Sequence, residues 1–400
     1  MEFSFRYELA NAKKAAMGEI YNLAKENLKP GNKIINFASG HPATDIFQDK
    51  FIKKYLNLAL EEGEKDILQY GPHIGYEPLR KQFIKFANTK GLNVKSFDDL
   101  MITYGNVEGI YLTTNLLVNK GDRVIVEEPS YVNAIKAFEL SGAEVVSVPQ
   151  ENDGVNIELL EQQMKNGAKI FYTIPNFSNP SGITMSEEKR NLVYDLAVKY
   201  NVIVLEDNAY GDLRYRGKRL KNIKEYDQTG HVVYLCSMSK LIAPAVRTGF
   251  MVADEQMIYK ASVLKAVSTN GVTTIIQKAL AKMFDENDMY YEIQKICDIY
   301  SGKMYLMESS MDKYFPASVV HSRPDGGMYI WVTMPKGTNV EKFCRESAIR
   351  LNIPITPGNG FCVKEHDECT SMRFNFVKES LPDIEKGIKL VGGLMERWQG

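Results

Sequence analysis

The sequence has 400 residues with 49 basic and 50 acidic side chains, a formal net charge of −1, and 44% hydrophobic residues. That length supports a large core and two domains, while the even charge balance gives no electrostatic basis for nucleic acid or an anionic membrane as the main partner. Five scattered cysteines (Cys236, Cys297, Cys344, Cys362, Cys369), no run long enough to span a membrane and no apolar signal core at the N-terminus lead to the expectation of a cytoplasmic protein without a disulfide framework.

The first predicted element is a helix from Leu9 to Lys29, stopped by Pro30-Gly31. From about residue 50 to 285, short β-branched runs alternate with helical patterns. Arg123–Val126, Lys169–Thr173, Val202–Leu205 and Val232–Leu235 read as buried strands, and Ser186–Tyr200 reads as a helix with Ser186 as its N-cap. This alternation predicts an α/β fold with a mostly parallel sheet sandwiched by helices. A long helix is expected from Glu286 to about Lys313. Strands at Met328–Val332 and Met372–Phe376, with helices near 339–351 and 381–398, predict a smaller α+β C-terminal domain. The expected division is an N-terminal arm over 1–45, a large domain over 46–290 and a small domain over 291–400.

The candidate chemistry falls in loops after the strands, where α/β proteins bind ligands. Lys240 lies in Ser237-Met-Ser-Lys240, followed by Arg247 and preceded by Asn179-Pro-Ser-Gly182 and Asp207-Asn-Ala-Tyr210. These are the parts needed to hold a phosphorylated pyridine aldehyde: a lysine to bond the aldehyde, an aspartate for the ring nitrogen, and serine with arginine for the phosphate. Gly105, Asn106 and Val107 open a helical stretch, so their backbone amides suit a phosphate. Each piece has an ordinary reading as well. Asp207 can cap a turn, Asn179 can serve its turn alone, and Tyr131 can be core. Tyr329 and Trp331 read as core, and Lys218–Lys224 as a solvated loop.

Several motifs occur in one order: Ser39-Gly-His-Pro42, Gln69-Tyr-Gly-Pro72 with Gly75 and Pro78-Leu-Arg80, Thr103 to Gly109, Asn176 to Gly182, Asp207 to Tyr210, Ser237 to Lys240 with Arg247, and Met372 to Phe376. On these, the chain from about Asn36 to Phe376 resembles the fold-type I pyridoxal-phosphate aminotransferases of class I and II. It is most similar to their kynurenine/2-aminoadipate and broad-range branch. The resemblance implies an aspartate-aminotransferase-like fold and ping-pong transfer of an amino group between an L-amino acid, aromatic, aliphatic or aminoadipate-like, and a 2-oxo acid. It implies Lys240 as the cofactor-bearing lysine and proton shuttle, Asp207 on the pyridine nitrogen, Asn179 and Tyr210 on the ring oxygen, and Tyr131 stacked on the ring. Ser237, Ser239, Arg247 and the Gly105–Val107 amides would hold the phosphate. Tyr70 would reach it from the neighbouring subunit of a homodimer, and Arg373, with Gly40 and Asn179, would clamp the substrate carboxylate.

The family usually has serine and glutamine where this chain has Asn106 and Val107, which leaves the side-chain contact to phosphate open. Some relatives have an arginine where Gly18 stands, so aromatic or aliphatic donors are expected over acidic ones. Two rivals are a lyase or synthase of the same fold and a ligand-sensing regulator module; the latter would need a helix-turn-helix domain ahead of Asn36. Cys362, His366 and Cys369 do not match a zinc spacing, so no metal is expected.

Overall fold

In the computed structural model, which describes residues 3, 4, 6–10, 17–47, 49–62, 65–96, 99–363 and 369–398, the alternating stretch folds into one eight-stranded sheet. Its strands are β1 (Leu100–Thr103), β2 (Arg123–Glu128), β3 (Glu144–Glu151), β4 (Gly154–Val155), β5 (Ala168–Thr173), β6 (Ile203–Asn208), β7 (Val232–Ser237) and β8 (Gly249–Val252). The spatial order is β1-β8-β7-β6-β5-β2-β3-β4. β7, β6, β5, β2 and β3 run parallel, and β8 is antiparallel to both β7 and β1. β1 therefore points the same way as β7. The loops leaving β1, β2, β5, β6 and β7, and the loop entering β8, all gather at one edge.

The strands are apolar rather than alternating because both faces are covered. Val124, Val126, Ile170, Tyr172, Leu205 and Val233 enter one buried cluster. Their neighbours Ile125, Phe171, Val204 and Val232 enter the other, with Leu160, Val193 and Leu196 from the covering helices. Successive side chains of one strand point to opposite faces, so each run feeds two cores. The helix Glu187–Tyr200 begins as expected, with Ser186 accepting the Lys189 amide. Arg190 in that helix is fully buried. It donates to the carbonyls of Pro175, Met185 and Lys221 and to Asn176 Oδ1, which pins the loop carrying Asn179.

A second, antiparallel sheet has the order β11-β12-β10-β9, with β9 (Val320–His321), β10 (Tyr329–Thr333), β11 (Thr356–Pro357) and β12 (Ser371–Asn375). Helices Met289–Tyr314, Val340–Leu351 and Leu381–Glu396 accompany it, and helix Met17–Glu26 packs on Val340–Leu351 through Ile20, Ala24 and Ala348.

Several elements differ from expectation. The N-terminal helix ends at Glu26, three residues early, and residues 11–16 of the expected helix lie outside the described residues, as does His366. The strand expected at Val202–Leu205 runs on to Asn208, so Asp207 sits inside β6. The break before the long helix falls at Asn287-Asp288, where Asp288 caps the Met289 helix. Lys224 is not solvated: it pairs with Asp227 at 2.7 Å and donates to the Val232 carbonyl. Among the described residues no disulfide joins any of the five cysteines. Among the described residues no helix is long and apolar enough to cross a membrane, and no cluster of metal-ligating side chains occurs.

Candidate active site

The edge where the loops converge borders a cavity of about 680 Å³ between the two sheets. A larger groove of about 990 Å³ lies among the helices Asp49–Glu62, Glu77–Thr89 and Thr274–Glu286, and none of the candidate cofactor or substrate residues lines it.

Lys240 follows β7 by three residues and projects into the smaller cavity, where its Nζ donates to the Gly40 carbonyl at 3.0 Å. Burial pushes its ammonium below the usual lysine range. Arg373 and Arg247 add repulsion, while Tyr329 opposes the shift. That is the environment in which a lysine becomes a neutral nucleophile.

Asp207, 2% exposed, lies on β6 beside β7. Asn106 Nδ2 donates to its Oδ1, and Tyr172 OH donates to its Oδ2 at 2.8 Å. Burial raises the Asp207 pKa, and these two donors work against the rise. From the sequence Asn106 reads as a backbone ligand alone, and Tyr172 carries no assigned role. Its one available signal was a tyrosine near the end of a buried strand.

The phosphate candidates meet where β1 and β7 end and β8 begins. Gly105 precedes the helix Asn106–Leu117 with φ +76° and ψ −179°, a conformation that only glycine adopts easily. A Cβ there would sit 3.3 Å from an Arg247 guanidinium nitrogen. Gly249 keeps the approach close: its Cβ would come within 2.4 Å of the Cys236 carbonyl. Arg247 has a left-handed backbone, φ +42°, and donates to the Tyr104 carbonyl at 2.7 Å and to Ser239 Oγ at 3.5 Å. Ser237 Oγ accepts the Ser239 amide. Val107, Ser237, Ser239 and Arg247 all line the cavity.

On the opposite wall stands Arg373 of β12, 1% exposed. It donates to Asn179 Oδ1 at 2.8 Å and to the Ala38 carbonyl at 3.2 Å, and its guanidinium lies 4.1 Å from the Tyr329 ring centroid. Tyr329, read from the sequence as core, lines the cavity and meets Tyr210 edge-on at 5.9 Å. Burial raises the phenol pKa of Tyr210, and pushes that of Tyr131 up to about 12, so both are protonated donors. Tyr131 also borders the cavity and accepts from Asn133.

Gly18 and Tyr21 close one end, together with His41 and Lys378. A cation thus does face the cavity, from the segment after β12 rather than from the Gly18 position. Two candidates do not line this cavity: Gly105, which stands directly before the lining residue Asn106, and Tyr70, which is 82% exposed.

The residues fit a phosphorylated pyridine aldehyde. Asn106 Oδ1 is buried without a partner among the described residues. The glycine cradle stays open only for want of a Cβ. The donor set pairs an arginine, two serines and helix N-terminal amides with a desolvated lysine.

The fold has aspartate-aminotransferase-like architecture. The chain belongs to the family described as aminotransferase class I and II, which matches residues 32–384. It is 33% identical over 377 residues to aromatic-amino-acid aminotransferase 1 of Thermococcus litoralis, covering 93% of this chain and 89% of that one. The crystal structure of Pyrococcus horikoshii kynurenine aminotransferase, in complex with PMP and with KYN as substrate, superposes with a TM-score of 0.92 at 31% identity. That match covers 98% of this chain and 97% of the other. An α-aminoadipate aminotransferase from Thermus thermophilus, complexed with N-(5'-phosphopyridoxyl)-L-leucine, gives a TM-score of 0.89 at 25% identity, with 98% and 97% covered. The protein is an aminotransferase, and its family uses pyridoxal phosphate.

Proposed function

We propose that the protein transfers an amino group from an L-amino acid to a 2-oxo acid in two half-reactions, with pyridoxal phosphate held in the cavity described above. The observation that carries this reading is the desolvated Lys240 with Asp207 and the Arg247 cradle on one side and Arg373 on the other. When bound, pyridoxal phosphate supplies an aldehyde that takes up the amino group and a ring that draws electrons from the substrate Cα.

The chain's own groups do the rest. Asp207 holds the ring nitrogen protonated, braced by Asn106 and Tyr172. Tyr210 and Asn179 would hydrogen-bond the ring oxygen of the bound cofactor, and Tyr131 would pack against its ring. Ser237, Ser239, Arg247 and the amides of Gly105, Asn106 and Val107 bind the phosphate. Arg373, with Asn179 and the Gly40 backbone, takes the substrate carboxylate and so orients the Cα–H bond. Lys240 Nζ, once free, accepts the Cα proton.

The exposure of Tyr70 fits a homodimer in which Tyr70 of the partner subunit reaches the phosphate. Five cysteines without a disulfide among the described residues suit a cytoplasmic setting. The same reading keeps the arm at 1–45 and a division near residue 290.

For substrates, Tyr21 offers an apolar wall and Lys378 a charge, so the range takes in aromatic, aliphatic and aminoadipate-like side chains. Initial rates with leucine, phenylalanine, glutamate and aminoadipate against 2-oxoglutarate should give parallel double-reciprocal lines; intersecting lines would overturn the two-step scheme. Lys378→Met is expected to lower kcat/KM about tenfold for the acidic donors and to leave the others within about twofold. Equal effects on all donors would remove Lys378 from the side-chain pocket.

A further inference from the structure

Two buried charges next to the cradle have no role in the reading above. Glu108 stands in the first turn of the helix Asn106–Leu117, one residue past Val107, and Lys265 comes from the neighbouring helix Glu255–Ser268. Their side chains are 7% and 0% exposed, and Lys265 Nζ lies 2.9 Å from Glu108 Oε2.

The surroundings set this apart from an ordinary core ion pair. Glu108 Oε2 also accepts the Tyr104 amide at 2.7 Å, and Oε1 accepts Thr269 Oγ1 at 2.6 Å. Lys265 Nζ donates a second bond to the Ile102 carbonyl at 2.6 Å. The Tyr104 carbonyl is taken by Arg247. Tyr104 is thus gripped through its N–H by Glu108 and through its C=O by the cavity arginine. Gly105 follows directly, so this grip sets where the chain turns and which way the Asn106 and Val107 amides face.

The charges matter separately. A carboxylate in the first turn suits the helix dipole, but it places a negative charge behind an anion site. In a dry interior such a charge is poorly screened. Lys265 cancels it.

We propose that Glu108 and Lys265 are positioning residues of the phosphate cradle: Glu108 fixes Tyr104, and Lys265 neutralises the Glu108 charge behind the bound anion. This rests on the reading of the cavity as a pyridoxal-phosphate site.

The test is the dissociation constant of pyridoxal phosphate, with the thermal midpoint as a check on folding, for the wild-type protein, Glu108→Gln, Lys265→Met and the double variant. Glu108→Gln keeps an oxygen for Tyr104 and leaves Lys265 cationic, so affinity should hold or tighten. Lys265→Met leaves the carboxylate uncancelled, and affinity should fall about tenfold or more. The double variant should return to within about threefold of wild type. Pyridoxal, which lacks the phosphate, should bind all four proteins alike.

A pair that serves stability alone would weaken binding in both single variants, and for pyridoxal as much as for pyridoxal phosphate. Single-variant shifts of the same sign, or none, would overturn the proposal. If Lys265→Met does not fold, weaker binding by Glu108→Gln would overturn it too. A wild-type protein that fails to take up pyridoxal phosphate would instead remove the underlying reading of the site.

Discussion

Lys240→Ala is expected to lower kcat for transamination by about three to four orders of magnitude, with the thermal midpoint of the cofactor-free protein unchanged or higher. The first part follows from the cavity, where Lys240 is the amine set between the ring-nitrogen aspartate and the carboxylate clamp. The second follows from what its removal costs the fold. Among the described residues Nζ makes one hydrogen bond, to the Gly40 carbonyl, and its burial works against its charge. A buried cation held in place for chemistry is a stability liability. Steady-state rates and a thermal scan on the same preparation check both parts. A variant that keeps a tenth of the activity would take Lys240 out of the proton path.

Arg373→Leu is expected to cost about 2–5 kcal/mol in kcat/KM, roughly 30- to 5000-fold. The guanidinium is already held by Asn179, the Ala38 carbonyl and the Tyr329 face, so it is ordered before substrate arrives. A pre-ordered planar cation offers a carboxylate two parallel hydrogen bonds at little entropic cost. The readout that separates binding from folding is the matching primary amine, which lacks the carboxylate. Its slow reaction should be nearly the same in wild type and variant. A variant equally impaired toward amino acid and amine would mean that Arg373 supports the fold and not the carboxylate.

What could be read from the sequence was local. Lys240 follows β7, Asp207 is the last residue but one of β6 and Arg247 precedes β8, and a β-branched run beside a turn marks such a boundary without any tertiary information. The contacts that tie them together were not legible. Tyr329 reads as a strand residue of the second sheet; the β10–β12 register sets it beside Arg373, and the docking of that sheet against the first sets it against Tyr210. Tyr172 and Asn106 converge on Asp207 from β5 and from the helix after β1, 35 and 101 residues away in sequence. Lys378 reaches the cavity wall because β12 ends beside it. In each case the deciding fact is a register or a packing between distant segments, and no spacing within one segment encodes it. The early stop of the N-terminal helix at Glu26 is different in kind. Asn27 and Leu28 are compatible with helix, and what ends it is tertiary: Asn352, from the helix end packed alongside, donates to the carbonyls of Ala24 and Asn27.

The most direct measurement is the visible spectrum of the purified protein loaded with pyridoxal phosphate, recorded as single amino acids and then a 2-oxo acid are added. The expected result is a visible band that disappears with leucine, phenylalanine, kynurenine, glutamate or aminoadipate and returns with the 2-oxo acid. A protein that stays colourless with pyridoxal phosphate, or a band that no amino acid removes, would contradict the assignment of Lys240 and of the reaction built around it.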